Sequence, residues 1–109
     1  MAAMDKATID RVKAANPGVE LWLLKVPDEG IEWLLKTPDD PEWRAFRKDQ
    51  ASDDGGVTSL NTLILRHVAY PSVEEATAVL TRKPGLNETI GKQLIKLAGA
   101  ALTASVEKV

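Results

Sequence analysis

The chain has 109 residues, 44% of them apolar and 28% charged, with 14 Lys and Arg against 16 Asp and Glu for a net charge of −2. That length suits one domain, and the slight acidity excludes a generic polyanion binder, which needs surplus cations to displace counterions from phosphate. With no cysteine and one histidine, the chain has no disulfide framework, thiolate zinc site or cysteine nucleophile, and little from which to build a histidine relay.

The N-terminus, Met1-Ala2-Ala3-Met4-Asp5-Lys6, shows no basic segment leading into an apolar one, so no secretory signal is expected. The longest apolar run, Leu21–Leu24, is far short of the ~20 residues of a membrane span. A cytoplasmic protein without a membrane partner is the resulting expectation. Residues 5–15 read as a helix with Asp5 as its cap and Met4, Thr8, Val12 and Ala15 on one stripe. Asn16-Pro17-Gly18 stops it.

Two segments, about 19–26 and 31–37, flank Pro27-Asp28-Glu29-Gly30, which has Pro and Gly where a hairpin loop uses them. If Val26 pairs with Ile31, then Leu24 opposes Trp33 and Trp22 opposes Leu35, all on one face. The reverse face then sets Lys25 against Glu32, as an ion pair, and Leu23 against Leu34. One register therefore gives a wholly apolar face and matched charges behind it, which argues for a β-hairpin. The helical alternative stays open, because Ile31, Leu34 and Leu35 also fit a 3.6 period.

Asp40 is suited to cap a helix over 41–50, with Pro41 at its first position and Trp43 and Phe46 inward. A flexible loop is expected at about 51–57, around Asp53-Asp54-Gly55-Gly56. Further helices are expected at 59–69, 73–83 and 88–104. Thr58 or Ser59 caps the first, and the capping box Ser72-Val73-Glu74-Glu75 opens the second. Asn87 is expected to cap the last. Gly91 and Gly99 weaken that helix intrinsically by ~1 kcal/mol each, and such small residues allow close approach of another helix. The expected fold class is α+β, mostly helical, as a single domain over residues 1–109.

Catalytic signatures are lacking. There is no HExxH, phosphate loop or nucleophile elbow in the sequence. His67, beside Val68 on an apolar helix face, reads as a packed, hydrogen-bonded histidine. Residues 27–54 carry nine acids against four bases, but without the alternating ligands of a calcium loop; capping and solvation account for most of them. The expectation is no enzyme, metal or cofactor. A helix-turn-helix reading of 59–83 fails on chemistry, since the second helix offers Glu74 and Glu75 to phosphates, so no nucleic-acid partner is expected. Trp22, Trp33 and Trp43 admit two readings. They form one core cluster, or the hairpin face Trp22, Leu24, Trp33 and Leu35, with Trp43, is a protein-binding surface. A lone two-stranded hairpin leaves unpaired edges, so strand addition to a partner and a homo-oligomer are expected.

From residue 38 onward, Pro38-Asp39-Asp40-Pro41-Glu42-Trp43 with Phe46 precedes a Leu60–Val68 helix ending at Tyr70-Pro71. Ser72-Val73-Glu74-Glu75, Pro84-Gly85-Leu86, Ile90-Gly91 and Leu97-Ala98-Gly99 follow in order. In that ordering and spacing, over about residues 38–99, the chain resembles the tail assembly chaperones of long-tailed bacteriophages and prophages. The resemblance implies a non-enzymatic morphogenesis factor in the host cytoplasm that binds the tape-measure protein and recruits tail tube protein. It supplies no site residues. The alternatives are a structural head–tail or tail component, and a small regulatory protein-binding module.

Overall fold

The computed structural model describes residues 4–52, 57–100 and 104–108. Its elements are α1 (Lys6–Ala15), β1 (Leu21–Val26), β2 (Ile31–Lys36), α2 (Asp40–Ala51), α3 (Val57–His67), β3 (Val68–Tyr70), α4 (Val73–Arg82) and α5 (Leu86–Leu97). The fold is α+β and mostly helical, with an antiparallel sheet in the order β1-β2-β3.

The hairpin forms in the register that the sequence predicts. Val26 faces Ile31, Leu24 faces Trp33 and Trp22 faces Leu35. A 3-10 turn over Pro27–Glu29 closes it, and Gly30 takes the left-handed φ of 63° that a side chain would disfavour. Lys25 stands opposite Glu32 as expected, yet the Glu32 carboxylate accepts the Met4 N–H at 3.1 Å. That bond ties the start of α1 to the reverse face of the sheet. Leu34 on that face and Val12 of α1 are both buried, apart from the main core.

Several boundaries depart from the sequence reading for identifiable reasons. Asp39, not Asp40, caps α2, its carboxylate accepting the Glu42 N–H at 3.0 Å. Asp40 and Pro41 become the first two helical residues, where proline's missing N–H costs nothing. The helix expected over 59–69 stops at His67, and residues 68–70 pair with β2 as a third strand. Tyr70 precedes Pro71, which disfavours helical backbone, and the free edge of β2 supplies partners for its amides. Asn87 is not a cap; it lies inside α5, buried, and Gly85 precedes the helix without a side-chain cap.

The last helix, expected to reach residue 104, ends at Leu97. Gly99 has φ 92°, its N–H bonds to the Lys96 carbonyl at 2.9 Å, and the Ala100 N–H bonds to that of Ile95 at 3.0 Å. This paired bonding past a left-handed glycine is a Schellman stop, so Gly99 terminates the helix and does not weaken its interior. Residues 101–103 of that expected helix lie outside the described residues, as does the Asp53–Gly56 part of the expected loop. Ser72 caps α4 by accepting the Glu75 N–H at 3.2 Å.

The core lies between one sheet face and the helices. Leu24, Ile31, Trp33 and Leu35 pack with Leu63 and Ile64 of α3 and Ile90 and Leu94 of α5. α3 and α5 approach so closely that a Cβ added at Gly91 would lie 2.7 Å from Leu60 Cδ2.

Two outcomes follow from this packing. Leu35→Ala, at 1% exposure, is expected to cost ~2–5 kcal/mol in denaturant unfolding. Leu23→Ala, on the same hairpin but 43% exposed, should cost below ~1 kcal/mol. The second concerns α1. The Asp5 carboxyl is held below its ordinary range by hydrogen bonding to the Thr8 hydroxyl and then the Thr8 N–H, with Arg11 adding attraction. A lowered folded-state value means that the unfolded chain binds the proton more readily, so capping strengthens α1 above the ordinary carboxylate range and fades as pH falls through the depressed value. In an NMR titration the Thr8 amide shift should be flat at neutral pH and move only below about pH 4; Asp5→Asn should abolish that step.

Candidate protein-interaction site

The sheet order leaves β1 as an edge strand. Thr37 N–H bonds to the Glu20 carbonyl at 3.4 Å, and antiparallel ladders alternate bonded and unbonded pairs. Residues 22, 24 and 26 therefore direct their backbone groups to β2, and Leu21, Leu23 and Lys25 direct theirs outward. The strand opposite this edge is missing among the described residues, since β3 adds on the far side of β2.

Beside the edge, on its core side, runs a groove of about 450 Å³ between β1 and α5. Trp22, Leu24, Val26 and Leu35 form one wall, and Thr89, Gln93 and Leu97 form the other. Lys25 is the single charged residue on its lining. Two exposed large apolar residues of β1 border the groove, Trp22 (44%) on the core face and Leu23 (43%) on the reverse; Val19 (42%) lines a polar depression near His67, and Val73 and Val106 lie elsewhere in the chain. The indole of Trp22 is pinned at the rim. Its Nε1–H donates to Thr37 Oγ1 at 2.7 Å and Glu20 Oε1 at 3.0 Å, and the Thr37 hydroxyl donates to the same carboxylate oxygen at 2.8 Å. A fixed, half-exposed aromatic ring is a low-entropy contact surface.

The five residues proposed from sequence as a contact face divide. Trp22 is exposed, and Trp43 is half-buried with its ring 5.4 Å from that of Phe46. Leu24, Trp33 and Leu35 are buried, which corrects their assignment to a contact surface: α3 and α5 cover the hairpin face that the sequence left open. Leu24 and Leu35 reach the groove only as part of its sheet-side wall. Sequence reading missed Thr89, Gln93 and Leu97, because nothing in linear order brings the exposed side of α5 to the β1 edge.

His67 is buried, and its Nδ1–H donates to the Leu63 carbonyl at 2.7 Å, the packed histidine that the sequence suggests. It borders a second, polar depression with Glu20, Lys36, Thr37, Asp39, Glu42 and Arg66. Four of the acids of residues 27–54 are engaged within the chain: Asp39 in its cap, Asp40 with Arg44 at 3.0 Å, Glu29 with Lys83 at 3.1 Å, and Glu42 with Arg66 at 3.8 Å. Among the described residues, no three His, Cys, Asp or Glu side chains are placed to hold a metal ion, and no helix is long and apolar enough to cross a membrane. β3 intervenes between α3 and α4, displacing the short turn of a helix-turn-helix.

No family model matches the chain, and no curated protein matches it. A solved structure, that of the uncharacterised protein rbstp2171 from Bacillus stearothermophilus, is similar with a TM-score of 0.70 at 20% identity, over 91% of this chain and 99% of that one. At that identity the likeness extends to the fold alone.

The placement of the tryptophans has a direct optical consequence. Iodide should quench the fluorescence of Trp22 most strongly, and Trp22→Phe should remove the most accessible fraction of the emission. Loss of that fraction in Trp33→Phe instead would contradict the burial described above.

Proposed function

We propose that the protein is a non-enzymatic protein-binding module of the tail assembly chaperone kind, which holds an apolar segment of a tape-measure-like client at the β1 edge and its groove. The observation that carries this reading is the coincidence of a strand edge unpaired among the described residues with exposed Trp22 and Leu23 and an apolar groove beside them. Main-chain bonding at the edge gives sequence-tolerant affinity, and the groove selects apolar side chains. A long client with repeated apolar stripes engages many copies weakly, and such contacts add by avidity while each remains easily released. The resemblance over residues 38–99 supports the same reading. It implies the cytoplasm of the host cell as the site of action, with tape-measure and tail tube proteins as partners.

Co-expression with a long, apolar, coiled-coil tape-measure protein tests this. The wild type should raise the client's soluble fraction several-fold, Trp22→Asp should lose that effect, and Val73→Asp, on exposed α4 surface, should keep it. An unchanged soluble fraction with the wild type would sink the reading. Recovery of the protein from purified particles would replace it with the structural tail component.

A further inference from the structure

We infer that the β1 edge pairs with the β1 edge of a second copy, antiparallel about a two-fold axis at Leu23, joining the two sheets into one. This goes beyond client binding and uses the same edge, so client and second copy compete for it.

The pairing follows from which groups point outward. Among the described residues, no strand pairs with the outward backbone groups of Leu21, Leu23 and Lys25. An axis at Leu23 sets Leu23 against Leu23 of the second copy and Leu21 against its Lys25, using all three outward positions and making about six main-chain bonds. Moving the axis to Trp22 or Leu24 takes one of those positions out of the strand-to-strand pairing.

Charge disfavours the Leu24 axis and a parallel pairing, while the count of main-chain bonds sets Leu23 above Trp22. Lys25 is the only charged residue of the strand. With the axis at Leu23, the two lysines lie four residues apart, ~14 Å along the strand, beyond the ~8 Å Debye length at physiological salt. With the axis at Leu24 they lie ~7 Å apart, and a parallel pairing stacks them at the ~4.8 Å strand spacing. Like charges so close are destabilising.

The side chains are also complementary to themselves. On the core face, Trp22 of each copy falls opposite Leu24 of the other, beside the groove walled by Gln93 and Leu97. On the reverse face the two Leu23 side chains meet and continue the row begun by Leu34, which faces Leu23 across the hairpin. The exposed Trp22 and Leu23 are thereby both covered. Strand pairing of this extent is a small interface, of the weak and reversible class, as exchange for a client requires.

Sedimentation equilibrium of the wild type, Leu23→Lys, Leu23→Glu and an equimolar mixture of the two variants tests the axis. The wild-type mass should rise toward twice the monomer value with concentration, and each variant alone should associate at least tenfold more weakly, because it meets its own charge at the axis. The mixture should associate again. Leu23 is exposed enough for both variants to fold, which unfolding curves check. As a measurement on the unmutated chain, amide exchange at Leu21, Leu23 and Lys25 should slow as concentration rises. A wild type that stays monomeric to ~1 mM, a Leu23→Lys protein that dimerises like the wild type, or a mixture that fails to associate would each overturn the pairing. Dimerisation without any rescue of client solubility retires the client reading and leaves this one standing; rescue by a monomeric wild type does the reverse.

Discussion

The register of one hairpin governs the rest of this fold. Pairing Val26 with Ile31 places Leu24, Trp33 and Leu35 on a common face, and that face is the surface on which α3 and α5 settle. A slip of one residue would turn those side chains to the other side and expose the sheet's apolar set. The turn enforces the pairing from one end, through Pro27 and the left-handed Gly30. The close approach of α3 and α5 at Gly91 and Leu60 keeps the helical layer compact enough to cover it.

The same arrangement creates an asymmetry between the two edges of the hairpin. β2 gains β3 on its free side and becomes the central strand, buried on both faces through Leu34 and Leu35. β1 gains nothing. Its outward amides and carbonyls, the fixed indole of Trp22 and the groove against α5 form a continuous surface whose chemistry is that of an unfinished sheet. The polar depression around His67 differs in kind: its carboxylates serve the Asp39 cap, the Glu42–Arg66 pair and the Glu20 bonds to Trp22 and Thr37, and its histidine is bonded to its own helix.

Much of this was legible in the residues. The hairpin register, the cap at Asp5, the cap at Ser72 and the packed state of His67 are all local or nearest-neighbour matters, decided by hydrogen-bonding side chains and by period-2 alternation. The errors arose where local propensity met a tertiary demand. Val68 to Tyr70 continues a helical pattern, but the open edge of β2 draws it into a strand. Gly99 reads as a weak interior helix residue until the two bonds past it show a stop. Leu24, Trp33 and Leu35 make an apolar stripe whose covering, helix or partner, no stripe can specify.

The amino-acid sequence by itself therefore determined the class of fold, the five helices in order and the pairing within the hairpin, because those depend on contacts between residues close along the chain. Tertiary structure alone decided which tryptophan is sealed and which is offered to solvent, since that depends on where α3 and α5 come to rest. It also decided that β1, and not β2, keeps its edge. Burial and edge exposure are properties of layers assembled from distant segments, and no local pattern carries them.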